Sequence, residues 1–357
     1  MKKQPQTRLL FASNWKGVVH LRIAVWSVLH FLVDMVCAWS MYAFFCAGNY
    51  ESLLIYNFCA FALQLPFGTL LDLCGGKHPR LLSACAALGM LITLTGAYLH
   101  PALLGVGNAL FHIGAGVDVI EEDFSRGLKG RNLGIFVAPG AIGLYIGTLL
   151  GKRTGHPLIG LSAGICMLLL LVYQWKRCRV YERSKHTKPE YNGKLLLLAA
   201  ACFAVVVIRS LVGLAVSFPW KSIPLLGAIA VCAAAAGKCC GGFLAAGFGL
   251  QRTAAVSLLL AAVCYLFGET GIFGIAAIFL FNMSMPLTLY LLAKKLPHLP
   301  GFAFGLLTFG LFLGFLPVYW QLDPGLAPGV LGAAGSAISC IVLIAAGKAA
   351  EYDKIFA

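Results

Sequence analysis

The chain has 357 residues, of which 60% are apolar and only 11% charged, and its mean hydropathy is +0.87. A soluble domain is about 45–50% apolar and about 25% charged, so this composition excludes a water-soluble globular protein, a disordered tail and a fibrous repeat. The few charges are lopsided, with 27 Lys+Arg against 13 Asp+Glu and a formal net charge of +14. In a soluble protein that balance would suggest nucleic acid. In a chain this apolar it points to a bilayer, where cations collect in the loops of one face, and no nucleic-acid partner is expected.

A bilayer core of about 30 Å takes about 20 apolar residues per helix. Runs between charged or Pro/Gly breaks predict spans at 21–46, 52–73, 80–99, 101–120, 131–151 and 156–175. The remainder predicts spans at 195–217, 222–247, 253–268, 271–293, 301–320 and 326–347. The one polar stretch long enough to be a linker is 176–194. The expectation is an all-α integral membrane protein of twelve transmembrane helices in two six-helix pseudo-symmetric bundles. Residues 1–175 would form the first bundle, 176–194 a basic linker and 195–357 the second bundle.

With an even number of spans both termini share a face. Of the 27 cations, 22 then fall on that face, Arg22, Arg80, Arg126, Lys129 and Arg131 among them. Only Lys152, Arg153 and Lys221 fall on the other. By the positive-inside rule the termini are cytoplasmic, which predicts a multi-pass protein of the cell (plasma or inner) membrane. The basic N-terminus runs into a long span without a small-residue cleavage site, so no cleavable signal peptide is expected. The 13 cysteines lie mostly within spans, where Cys acts as a small hydrophobe rather than a disulfide partner.

The strongest internal signal is a repeat at an offset of 174 residues. After the second span the chain reads Gly68-Thr-Leu-Leu-Asp72-Leu-Cys-Gly75, followed by Lys77 and Arg80. After the eighth it reads Gly242-Phe-Leu-Ala-Ala246-Gly-Phe-Gly249, followed by Arg252. Asn108 matches Asn282, and Gly140 matches Gly314. Six spans plus six spans in the same orientation describe a parallel duplication whose halves face each other. Small-residue faces such as Gly143-x-x-x-Gly147-x-x-x-Gly151 and Gly301-x-x-x-Gly305 permit close helix packing in lipid. Gly68, Asp72, Gly75 and Arg80 read as a conformational latch, with Asp72 facing the cationic loop or a neighbouring helix N-terminus. The bland alternative is a loop that merely ends a helix.

At these residues the chain resembles the major facilitator superfamily of secondary transporters. That family's signature between spans two and three is Gly-x-x-x-Asp-Arg-x-Gly-Arg-Arg. Here Leu73 stands where a cation is usual, Gly76 and Pro79 are extra, and Ala246 replaces the acid in the second copy. Within the superfamily, His30-Phe-Leu-Val-Asp34 and Gly107-Asn-Ala-Leu-Phe-His112 are similar to the fosmidomycin-resistance branch of exporters. Ile113 takes the place of that branch's proline. The resemblance implies a central cavity lined by spans one, four, seven and ten, with span eight partly exposed to it. It also implies an antiporter working in efflux.

Ionisable residues within spans cost about 2.5–3.5 kcal/mol each on insertion scales and mark functional sites. Asp34 lies near mid-depth in span one, with His30 one turn away on the same face. His112 lies in span four, Arg209 in span seven and Lys238 in span eight. Asp34 would carry the proton, with His30 or His112 as its partner. Arg209 would be its counter-ion, or a clamp for an anionic group, because its fork suits carboxylate or phosphate. Substrate and proton would compete for these charges. Asn108 and Asn282, with Tyr56, Asn57, Gln64, Tyr145 and Tyr290, are further candidates for the cavity lining.

Structural alternatives stand beside each of these readings. Asp34 and Arg209 could form a permanent buried pair, His112 could bond a neighbouring backbone or Asn108, and Lys238 could snorkel to the interface. Glu121, Glu122 and Asp123 are expected to form salt bridges between loops with Arg126, Lys129 and Arg131. His30, Asp34 and Cys37 share a helix face and offer ligands for a soft divalent ion.

The sequence therefore predicts a proton-coupled secondary transporter of a small anionic or zwitterionic organic solute, driven by the proton gradient without another cofactor. Export is favoured, and the protein is expected to be a monomer in the bilayer. A divalent metal-ion transporter and a non-transporting receptor or scaffold are the alternatives. An enzyme is not expected, since no HExxH, GxSxG or phosphate-binding loop occurs.

Overall fold

The computed structural model describes residues 21–46, 50–74, 80–176 and 193–351. Gly75 and Lys77 of the latch motif, and most of the 176–194 linker, lie outside the described residues. Every described element is helical, as apolar segments must be where lipid offers backbone groups no partner. Eleven helices are long and apolar enough to cross a membrane. They are α1 (Leu21–Phe45), α2 (Tyr50–Cys74), α3 (Leu81–Leu99), α4 (Pro101–Arg126), α5 (Arg131–Arg153) and α6 (Leu158–Lys176). The second half supplies α7 (Gly193–Ala215), α8 (Pro224–Phe248), α10 (Gly271–Lys295), α11 (Pro300–Tyr319) and α12 (Pro328–Lys348). Where the ninth span is predicted lies α9 (Leu250–Leu266), whose 17 residues rise about 25 Å at about 1.5 Å per residue, short of a bilayer core.

Three helices change winding along their length. α1 ends in a π-turn at Met41–Phe45, and α2 carries another at Phe58–Ala62. α10 breaks at Met283, between Gly271–Asn282 and Ser284–Lys295, where Pro286 withholds a backbone donor. Wide turns of this kind recur at functional sites.

Within the first half α1 packs along α5 and α3 along α4, and within the second α9 packs on α12 and α11 on α7. The halves meet along two seams, α2 on α11 and α5 on α8. Both seams are built on glycine at one end of the molecule, where Arg126, Arg131 and Lys294 also lie; this is the basic end. A Cβ on Gly68 would stand 2.1 Å from the carbonyl oxygen of Gly301. A Cβ on Gly242, the repeat mate of Gly68, would stand 2.6 Å from the carbonyl oxygen of Gly130. The duplicated glycines therefore make equivalent contacts in opposite senses across the interface.

Asp72 adds an electrostatic tie to the first seam. Its carboxylate accepts from the backbone N–H of Gly301 (3.0 Å) and of Phe302 (2.7 Å), the first turn of α11. Ala246 leaves the second seam without such a tie. There Asp123, expected in an inter-loop salt bridge, instead accepts from Asn132 and Leu133 at the start of α5. Arg80 of the predicted latch stacks 5.7 Å over the ring of Trp175 in α6.

A second expectation is corrected at this end. Arg22, counted among the loop cations that set orientation, is buried. Its guanidinium pairs with Asp118 and, at 3.2 Å, with Glu122, while Trp26 donates to Asp118 at 2.7 Å. Glu122 also takes Arg126 at 2.5 Å within its own helix. Asp118 and Glu122 of α4 thus bind α1 and their own helix, and Asp123 binds the start of α5.

Candidate functional site

α1, α4 and α5 bring three titratable side chains together in the interior. His30 and Asp34 sit one turn apart on α1, with 5% and 7% of their surfaces exposed, and His112 reaches them from α4. His30 Nε2 is 3.2 Å from Asp34 Oδ2, and His112 Nε2 is 3.7 Å from Asp34 Oδ1. The two Nε2 atoms stand 2.9 Å apart. Asn108 donates its amide to Asp34 Oδ1 at 3.1 Å.

The outer nitrogens of the two rings fix how the rings are turned. His30 Nδ1 lies 2.7 Å from the carbonyl oxygen of Phe136, and His112 Nδ1 lies 2.9 Å from that of Asn108. A carbonyl only accepts, so both Nδ1 atoms are placed to donate. Both Nε2 atoms therefore turn inward, toward each other and toward Asp34, and the three groups bring ligand or proton-accepting atoms within 4.8 Å of one another.

Gly140 forms the wall behind this triad. A Cβ there would stand 2.4 Å from His30 Nε2 and 2.5 Å from Asp34 Oδ2. The sequence singles out Gly140 only as the mate of Gly314. Its role as a spacer depends on how α5 crosses α1.

Other predicted site residues lie across the interface. Arg209 on α7 is 8% exposed and makes no hydrogen bond or ion pair among the described residues; its Nη1 is buried without a partner. The Asp34–Arg209 pair allowed by the sequence is therefore not made. Lys238 on α8 lies within electrostatic reach of both Arg209 and Asp34, and its ammonium makes no ion pair among the described residues. Asn282, the repeat mate of Asn108, lines the same cavity as Arg209, whereas Asn108 bonds Asp34. By the same offset Asp34 corresponds to Ile208, the residue before Arg209.

Arg209 and Asn282 line a cavity of about 350 Å³ between α7, α8 and α10. It runs away from the basic end towards Lys221, in the short helix Pro219–Ser222. Lys221 Nζ donates to the Val216 carbonyl at 2.7 Å, and burial pushes its ammonium below the ordinary lysine value. At the basic end, by contrast, the two seams and the Phe124–Tyr290 ring contact at 5.6 Å close the molecule.

The metal set suggested by the sequence is not assembled as expected. Cys37 lies 3.5 Å from the Asn108 amide, and His112 takes the place beside His30 and Asp34. Of the further lining candidates, Tyr56 and Gln64 are buried near this region, with Gln64 donating to the Ala60 carbonyl at 2.6 Å. Asn57 donates to the Leu53 carbonyl on α2.

No protein-family model and no curated protein matches the sequence. Solved structures do. The E. coli fucose:proton symporter FucP superposes with a TM-score of 0.64 at 16% identity, over 92% of this chain and 96% of that one. FucP in its outward conformation gives 0.63 at 15% identity, over 91% and 98%. The human organic anion transporter MFSD10 gives 0.61 at 13% identity, over 92% and 100%. At such identities the likeness is one of fold, and the fold is that of the major facilitator superfamily transporters.

Proposed function

We propose that the chain is a proton-coupled secondary transporter of a small anionic or zwitterionic organic solute, working by alternating access. The fold supports transport, and the observation that supports coupling is the approach of His30 Nε2 and His112 Nε2 to 2.9 Å beside Asp34, a geometry that one proton shared between the rings would stabilise. Holding that proton keeps two imidazoles in contact and leaves Asp34 neutralised within the first half. Losing it leaves two facing lone pairs and an uncompensated carboxylate, so the triad must part or recruit a cation. Lys238, on the other half, is the cation within reach. Proton loss thereby changes the attraction between the halves, which is what a rocking transporter needs.

The glycine seams supply surfaces that can part and close without trapping side chains, and Asp72 ties one of them at the basic end. The orientation proposed from the cation distribution makes that end cytoplasmic, so the cavity would face the outside. The export direction expected from the sequence rests on the resemblance to an exporter branch alone. A receptor or scaffold would need no proton at this site.

The test is electrogenic or proton-reporting flux from proteoliposomes challenged with a panel of organic acids. The reading expects solute-dependent proton movement in the wild type and its loss in Asp34→Asn. Solute flux indifferent to the proton gradient would remove the coupling. Flux driven by a divalent cation in place of protons would favour the metal reading.

A further inference from the structure

The interior carries charge that the triad does not balance. Asp34 already faces His30, His112 and Asn108, while Arg209 and Lys238 bring two positive charges that make no ion pair among the described residues. Buried cations require a partner. Arg209 also lines the cavity with an unpartnered Nη1. Lys238 lies one turn beyond Ala234 on the same face of α8, and Ala234 lines the cavity too.

We infer that this cavity is an anion-binding subsite anchored on Arg209, and that its ligand is a small amphipathic monocarboxylate. Its physiological role rests on the transport reading above, while its binding chemistry does not. The guanidinium fork matches a carboxylate with two parallel donors. Asn282 donates one amide hydrogen to the Ile278 carbonyl and keeps its oxygen and second hydrogen for the ligand or a water.

Beyond these groups the wall is hydrocarbon and aromatic, with Val212, Ala230, Ile278 and Phe281 among its residues. A sugar would leave most of its hydroxyls unpaired against such a wall. Among the described lining residues a second carboxylate would meet Lys221 at the far end, which already gives one of its three donors to the Val216 carbonyl. At about 350 Å³ the space is near the lower end of small-ligand pockets, about 300–1,000 Å³. One charged head and a short apolar body fit; a large lipid does not.

Benzoate is the probe, with benzamide as its neutral isostere. Calorimetric titration and thermal unfolding of the purified full chain in detergent, near pH 6, read binding without any gradient. Benzoate is expected to bind and raise the unfolding temperature, and benzamide is expected to do neither. Arg209→Gln should weaken benzoate at least tenfold, with Arg209→Lys retaining part of the affinity. If Arg209→Gln fails to fold, Ala234→Leu narrows the cavity without changing charge and should weaken benzoate likewise. Equal binding of benzamide, or wild-type benzoate affinity in Arg209→Gln or Ala234→Leu, overturns the subsite. Arginine-dependent binding without any flux in proteoliposomes would leave the subsite standing and defeat transport. Proton-coupled flux of other solutes without carboxylate binding would do the reverse.

Discussion

At the scale of single residues the decisive contacts are those made where side chains have no slack. Gly140 is the sharpest case. An alanine methyl would need to occupy space 2.4 Å from His30 Nε2 and 2.5 Å from Asp34 Oδ2, so the triad must open to admit it. Gly140→Ala is expected to abolish proton coupling while leaving benzoate binding at Arg209 within about threefold of wild type, a difference of about 0.7 kcal/mol. Proton-coupled flux at wild-type level in this variant would show that the triad tolerates separation. Asp118 offers a structural counterpart. Its removal takes away one of the two carboxylates described around the buried Arg22 guanidinium and leaves Glu122. Asp118→Ala should therefore cost about 3 kcal/mol, the lower end for a broken buried pair because Glu122 remains. Denaturant unfolding checks that figure, and Arg22→Met with Asp118→Leu should recover most of the loss. His30, Asp34 and His112 were legible as a group because ionisable residues are rare in apolar spans. Gly140 and Arg22 were not. A glycine's neighbour depends on how two helices cross, and a cation at the start of a span reads like any loop cation until its helix packs.

At the scale of helices the duplication was legible in the spacing of Gly68 and Gly75 against Gly242 and Gly249. Its pairing was not, because nothing in the local pattern says that α2 meets α11 and α5 meets α8. The structure makes the two seams equal in backbone approach and unequal in electrostatics. Asp72 holds the first turn of α11 through Gly301 and Phe302, whereas the first turn of α5 is held by Asp123 from within its own half. Losing Asp72 should therefore loosen only the seam between halves. In Asp72→Ala, amide exchange at Gly301 and Phe302 is expected to speed by at least tenfold while that at Asn132 and Leu133 stays unchanged. Hydrogen-exchange mass spectrometry resolves the two segments. Faster exchange at both, or at neither, would mean that Asp72 does not act as a specific tie. Chain length left the ninth crossing least defined. α9 covers Leu250–Leu266 and is the short member of the set, so the count of spans by length stops at eleven.

At the scale of the whole molecule the question is the sign of the coupling. The sequence suggested competition, with proton and solute contending for one set of charges. The geometry separates the two proposed sites: the His30–Asp34–His112 triad lies on α1 and α4, the Arg209–Asn282 cavity on α7 and α10, and Lys238 is within electrostatic reach of both Asp34 and Arg209. Among the described residues the other groups near the triad are the buried Cys37 on its own helix and Tyr56 on α2, with the Phe136 carbonyl and Gly140 of α5. On the proposed reading, a proton on the triad would balance Asp34 and leave Lys238 to reinforce Arg209. Loss of that proton would draw Lys238 to Asp34 and take a cation from the anion. The proposal therefore expects proton and anion to bind cooperatively, and co-transport rather than exchange. Benzoate stays ionised throughout, since a carboxyl titrates near pH 4, so any pH dependence belongs to the protein. Its affinity should rise at least threefold from about pH 8.5 to about pH 6 in the wild type. In Asp34→Asn, where no carboxylate competes for Lys238, the affinity should be flat over the same range and close to the acidic wild-type value. Affinity that instead rises with pH would restore the competition that the sequence suggested, and with it exchange as the mode of transport.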